Sequence, residues 1–240
     1  MSGTLDAVAP PTSDRRSTTL AGILALFAMA VGAFSVVPVV DEAGPLVDLT
    51  ARHGEVLRGA GAQALMVPAS VGFALCLFPI LRRRSEMLAA GFLGFRLVAG
   101  AFHLVGVILL PLFIVLGDAA VEGSWDPALL EVIGDLMRLG RDLVNHVALI
   151  LALSLGDLLL LGVLHRWRLV PRWLSVWGIA GTALAIVASA QVLLGVTDVV
   201  TTHYLAMNAP LALHGVVLAT WLIARGLREP DCSPHEVLAA

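Results

Sequence analysis

Six long runs of mostly apolar residues dominate this sequence. A helix rises 1.5 Å per residue, so about 20 apolar residues are needed to cross the hydrocarbon core of a bilayer. Lipid offers no hydrogen-bond partner to the backbone, and helices satisfy their own backbone groups. The sequence therefore predicts an all-α, polytopic transmembrane bundle of six spanning helices, at approximately 19–40, 59–81, 87–117, 143–164, 174–196 and 204–226.

The composition excludes an ordinary soluble domain. Of the 240 residues, 58% are hydrophobic and 14% are charged, whereas soluble domains carry about 25% charged residues. The two cysteines, Cys76 and Cys232, are too few for a disulfide framework or a cysteine-based metal site. All fifteen basic residues are arginine, a usage that suggests a GC-rich bacterial genome.

The arginines between the runs predict the orientation of the chain. Ten arginines lie in the tails and in the second-to-third and fourth-to-fifth connections, against four in the connections on the opposite side. By the positive-inside rule, we expect a multi-pass protein of the bacterial cytoplasmic (inner) membrane with both termini cytoplasmic. The first run continues past a possible cleavage site to Val40, which favours an uncleaved helix over a signal peptide. We expect a transmembrane domain over 18–228 between disordered cytoplasmic tails, 1–17 and 229–240.

The connection before the fourth run predicts an additional amphipathic helix over 127–141. Asp126 is a good N-cap, and proline follows it at the first helical position. Four apolar residues then recur at helical spacing: Leu129, Ile133, Leu136 and Leu139. Such a helix can be a lid over an outward-facing cavity or a surface helix that covers loop backbone, and the sequence leaves both interpretations open.

The stretch HRWRLVPRWLSVWG (165–178) links the fourth and fifth runs. Tryptophan prefers the membrane interface, and arginine binds anionic headgroups. We therefore expect a cytoplasmic hairpin that anchors the protein to its lipid partner, with anchors Arg166, Trp167, Arg168, Arg172, Trp173 and Trp177. The connection is too short for a nucleic-acid platform, so no nucleic-acid partner is expected.

Two charged residues lie deep inside predicted spans. Arg96 and Asp157 fall at similar depths from the cytoplasmic ends of the third and fourth spans. A charge at this depth costs about 2.5–3.5 kcal/mol on insertion scales and usually faces a partner or a cavity. We expect the two residues to form an ion pair between adjacent helices.

Three histidines also lie within the spans. His103 is seven residues after Arg96, and His146 is eleven before Asp157, which predicts one polar seam shared by the third and fourth spans. His214 lies near the middle of the last span. No pair has the spacing that places two ligands on one metal, so we expect no metal, no cofactor and no assigned catalytic residue.

The residues allow three functional hypotheses. The favoured one is a non-enzymatic membrane protein, transport-like or accessory, whose polar seam binds a small molecule or stabilises the bundle. The alternative is an intramembrane enzyme, or a metal or proton site, that uses His103, His146 or His214 with Asp157. A third is a sensor or partner subunit that works through its acidic outer loops. Protein partners and oligomeric state stay open.

Three segments carry a family resemblance: LVPRWLSVWGIAG (169–181), NAPLALHGVVLATWLIARG (208–226) and GFRLVAGAFH (94–103). They resemble segments of the bacterial domain-of-unknown-function family 4386, whose members are small multi-span membrane proteins. The family pattern has acidic residues where this chain has Ala99 or Gly100, and His214, which leaves Asp157 as the single intramembrane carboxylate. The resemblance implies architecture and no catalytic residues.

Overall fold

The computed structural model describes residues 12–42, 44–199 and 201–228, and these residues form helices joined by short connections. The predicted tail 1–17 overlaps the first helix from Thr12 onward, while residues 1–11 and 229–240 lie outside the described part of the chain. The helices are α1 (Thr12–Phe34), α2 (Pro38–Asp41), α3 (Val47–Ala51), α4 (His53–Arg82), α5 (Glu86–Glu122), α6 (Pro127–Asp142), α7 (Leu149–Arg166), α8 (Arg172–Leu193) and α9 (Thr202–Ala224).

Six helices are long and apolar enough to cross a membrane, which confirms the predicted fold class. They are α1, α4, α5, the continuous rod of α6 and α7, α8 and α9. A π-helical turn, Leu143–Ala148, joins α6 to α7 without a break, so the predicted amphipathic helix leads directly into the fourth span. At 1.5 Å per residue, this 40-residue rod is roughly 60 Å long, about twice the hydrocarbon thickness.

The six spanning helices form a closed ring in chain order. Each spanning helix packs on the one before it and the one after it, and α9 returns to pack on α1. Short connections between successive helices explain this order, because they leave each helix beside its neighbour in sequence. The ring surrounds a central space that borders five of the six helices.

Two clusters of buried apolar residues close the ends of the ring. The first is built where α4, α7 and α9 end and α5 and α8 begin, and its largest members include Phe92, Leu161 and Leu174. The second is built at the opposite end, from the loop after α1, the start of α4, the end of α5 and Leu130 of α6. The site described below therefore lies between two packed layers.

Helix α6 packs over the segment that joins α1 to α4. Asp126 caps it by accepting a hydrogen bond from the Ala128 amide at 3.0 Å. Arg141 forms an ion pair with Asp41, and Arg138 Nε donates to the Val40 carbonyl at 3.1 Å. The structure thus favours a surface helix that covers loop backbone over a lid, since the described residues lining the central cavity come from other helices.

Only part of the predicted apolar row of α6 faces the protein. Ile133 packs against the second apolar cluster, and Leu130, which the predicted row did not include, belongs to that cluster. Leu129, Leu136 and Leu139 are exposed. This outward apolar face suits a helix whose neighbour is lipid rather than water.

Candidate functional site

A cavity of about 370 Å³ occupies the middle of the ring, between α1, α4, α5, α7 and α9. Its volume lies within the range of about 300–1,000 Å³ that is usual for small-molecule sites. Most of the lining is aliphatic, methionine or phenylalanine. The polar and charged residues of the lining are Ser70, Arg96, His103, Ser154, Asp157, Asn208 and His214.

Arg96 and Asp157 form the predicted ion pair on one wall of this cavity. Arg96 also donates from Nη1 to Ser70 Oγ at 3.3 Å, so its guanidinium links α4, α5 and α7. The guanidinium carbon lies 5.1 Å from the ring centre of Phe73 and 5.5 Å from that of Phe92. Aromatic faces attract cations, so the two rings hold the guanidinium in place while excluding water.

Four of the lining residues carry a buried polar atom that has no hydrogen-bond partner among the described residues. These atoms are Arg96 Nε, His103 Nδ1, Ser154 Oγ and His214 Nε2. A buried polar group without a partner costs about 1–3 kcal/mol, and native proteins rarely leave one without a reason. These atoms are shielded from the cavity itself, so the case for a ligand rests on the seven polar and charged side chains of the lining.

The structure brings His103 and His214 to the same cavity, but not His146. His146 Nδ1 instead shares a hydrogen bond of 3.0 Å with the Tyr204 hydroxyl. The predicted seam assumed α-helical spacing from His146 to Asp157, and the π-helical turn at 143–148 changes that spacing. Across the described residues, no three histidine, cysteine or acidic side chains are grouped as metal ligands.

Two residues of α8 position His214. The Trp177 ring packs edge-on against the imidazole, with ring centres 5.8 Å apart. A Cβ atom built on Gly178 would lie 2.6 Å from both Cε1 and Nε2 of His214. Glycine at 178 therefore allows α9 to approach α8, with the Cε1–Nε2 edge of the imidazole packed against α8.

Sequence inspection missed two polar residues of the site, Ser154 and Asn208. Ser154 precedes Asp157 by three residues, a spacing that returns to the same helix face and was available as a signal. Asn208 carried no such signal, because its position in the lining depends on how α9 packs.

The predicted interface anchors lie at the end of the ring where α7 ends and α8 begins. The Arg166 guanidinium lies 5.5 Å from the Trp167 ring, and Trp173 stacks on Trp177 with ring centres 6.2 Å apart. Arg172 begins α8, and Arg168 turns the chain with a positive φ of 52°. Arg166, Arg168, Arg172 and Trp173 are exposed, whereas Trp167 and Trp177 are half-buried.

The comparisons with known proteins place the chain in a family. No curated protein and no solved structure matches the chain. A family described as a domain of unknown function, DUF4386, matches it over residues 20–226, which include all six spanning helices or most of each. This match extends the resemblance of three segments to almost the whole bundle, and the chain therefore belongs to the DUF4386 family.

Proposed function

We propose that this protein binds a small, neutral, mostly hydrocarbon molecule in its central cavity, and that it acts as a non-enzymatic, transport-like or accessory protein of the bacterial cytoplasmic membrane. One observation carries the proposal: a cavity of about 370 Å³ whose mostly apolar lining includes seven polar or charged side chains. A ligand with a carbonyl or hydroxyl group would hydrogen-bond to these side chains.

The charges of the lining favour a neutral ligand. Arg96 and Asp157 already neutralise each other, and their side chains are only 13% and 21% exposed. A charged ligand would disturb this balance and would lose its own hydration in an apolar surrounding, at a cost of several kcal/mol.

The hydrogen-bonding groups restrict the polar end of the ligand. The Arg96 guanidinium in the lining can only donate, so a ligand bonded to it would offer an acceptor oxygen. His103 and His214 either donate or accept, depending on tautomer, and the Ser154 hydroxyl does both. A carbonyl or hydroxyl oxygen satisfies these requirements.

The orientation in the membrane is proposed from charge. Arginine is concentrated at the end of the bundle where α1 begins and α9 ends. The positive-inside rule supports cytoplasmic termini and places the acidic loops, with α6, on the outer side.

An enzymatic alternative is supported by the position of two histidines. His103 and His214 line the same cavity as Asp157. The two imidazoles can serve as general acid and general base for one bound ligand, with the Asp157 carboxylate as a third group. His146 bonds to Tyr204 outside the lining, and this alternative therefore does not need it.

Mass spectrometry of the molecules that remain bound to the purified full chain tests both functions. We expect a neutral, apolar molecule in organic extracts of the wild type, and much less of it in Ala28→Phe, which places a bulky ring in the cavity. Ala90→Phe is the matched control, because Ala90 is exposed and lies outside the lining. Equal recovery from Ala28→Phe and the wild type, or no recovery from either, would overturn binding. A chemically different molecule recovered from His103→Gln or His214→Gln would favour the enzyme.

A further inference from the structure

A second, smaller cavity lies at the end of the bundle where α1 begins and α4 and α9 end. Its volume is about 60 Å³, several times the roughly 10–15 Å³ needed for one water molecule. Five arginines and a single acidic residue are part of its lining: Arg15, Arg83, Arg84, Arg225, Arg228 and Asp14. The excess of cationic side chains around such a small space indicates an anion-binding site.

Two of the five arginines are already neutralised. Arg83 pairs with Asp14 at 2.5 Å. Arg15 donates to the carbonyl oxygens of Leu222, Ile223 and Ala224, the negative end of the α9 dipole. These contacts account for the positions of Arg15 and Arg83, and no ligand is needed to explain them.

The other three arginines have no such explanation. Within the described part of the chain, no side-chain hydrogen bond or ion pair is made by Arg84, Arg225 or Arg228. The Arg228 guanidinium lies 5.9 Å from the Trp221 ring, which orients it without neutralising it. Mutual repulsion among these guanidinium groups would be relieved by a bound anion.

The backbone builds the wall of this cavity in a defined shape. Gly226 has a φ of 70°, which turns the chain sharply after α9. The Arg228 amide then donates to the Leu169 carbonyl at 2.8 Å, tying the segment to the connection between α7 and α8. A Cβ atom at Gly226 would lie 3.2 Å from both Arg15 Nη1 and Thr18 Oγ1, so the turn also packs closely on α1.

We propose that this basic cavity binds a phosphate group, either from an anionic phospholipid headgroup or as free phosphate. Guanidinium forks match phosphate oxygens in geometry, and basic pockets between spanning helices recognise lipid headgroups. The cavity lies at the same end of the bundle as the anchor residues Arg166 and Trp167, where headgroups of a bilayer would be. The proposal is independent of the central cavity and of the ligand proposed for it.

Native mass spectrometry of the full chain in neutral detergent tests this inference. One arm adds phosphatidylglycerol, with phosphatidylcholine as the zwitterionic reference, and the other adds inorganic phosphate. In Arg84→Gln/Arg225→Gln/Arg228→Gln, we expect phosphatidylglycerol or phosphate to bind about a hundredfold more weakly than in the wild type. Arg16→Gln/Arg82→Gln is the control, since both residues are exposed at the same end of the bundle but lie outside the lining, and it should weaken binding less than about tenfold.

The two arms identify the source of the phosphate. Binding of phosphatidylglycerol that depends on the three cavity arginines supports a lipid site, and similar dependence for inorganic phosphate supports a site for the free ion. Equal weakening in the triple variant and in Arg16→Gln/Arg82→Gln, or no preference over phosphatidylcholine and no phosphate binding, would overturn the proposal. If the triple variant fails to fold, the single substitution Arg84→Gln is measured instead. We expect it to weaken the binding of phosphatidylglycerol or phosphate about fivefold.

Discussion

Arg96 on α5 reaches Asp157 on α7 and forms an ion pair beside the central cavity. Ser70 of α4 accepts a hydrogen bond from the same guanidinium. The pair therefore joins three consecutive helices of the ring, and its two charges cancel at a depth where neither is tolerated alone. Stability and the polarity of the cavity depend on the same two residues.

Replacement of Asp157 by asparagine should leave the Arg96 charge buried and unpaired. We expect the free energy of unfolding in detergent to fall by about 3–5 kcal/mol. Asp135→Asn is the control, because Asp135 pairs with Arg138 while 74% exposed, and we expect a loss of about 0–1 kcal/mol there. The double variant Arg96→Leu/Asp157→Leu should recover most of the loss. Equal effects of Asp157→Asn and Asp135→Asn would show that the buried pair is not a structural element.

Substitution of Gly178 should disturb His214. A methyl group at this position would overlap the imidazole, and overpacking of this kind costs typically about 1–3 kcal/mol. Gly162→Ala is a matched control on α7, since a Cβ atom there has no neighbour within 4 Å. Thermal unfolding followed by circular dichroism should separate the two variants, with Gly162→Ala close to the wild type. A neutral Gly178→Ala would contradict the close approach of α8 and α9.

The ion pair between Asp41 and Arg141 should hold α6 against the segment that joins α1 to α4. Arg141 is 8% exposed, so Asp41→Asn leaves a buried charge without its partner, and we expect faster amide hydrogen exchange across 127–142. Glu42→Gln serves as the control, because Glu42 is exposed. Hydrogen exchange measured by mass spectrometry distinguishes the two, and unchanged protection of α6 in Asp41→Asn would refute this tether.

The sequence predicts the architecture well because hydropathy acts over whole segments. The six spans and the Arg96 and Asp157 pair follow from run length and depth, quantities that do not depend on how helices rotate. The contact between His146 and Tyr204 does depend on rotation, and the π-helical turn alters the rotation of α7 relative to α6. The position of Asn208 in the lining likewise follows from the packing of α9, which no local pattern encodes.

Ligand binding in the central cavity is tested most directly through Trp177, whose ring lies against His214 with centres 5.8 Å apart. We would titrate the purified full chain with 1,4-naphthoquinone, a neutral apolar dicarbonyl that quenches tryptophan, and subtract the signal of Trp177→Phe. Saturable quenching of Trp177 that is lost in Ala28→Phe and kept in Ala90→Phe is the predicted result. Quenching that does not saturate, or that is the same in both alanine variants, would contradict a ligand site in this cavity.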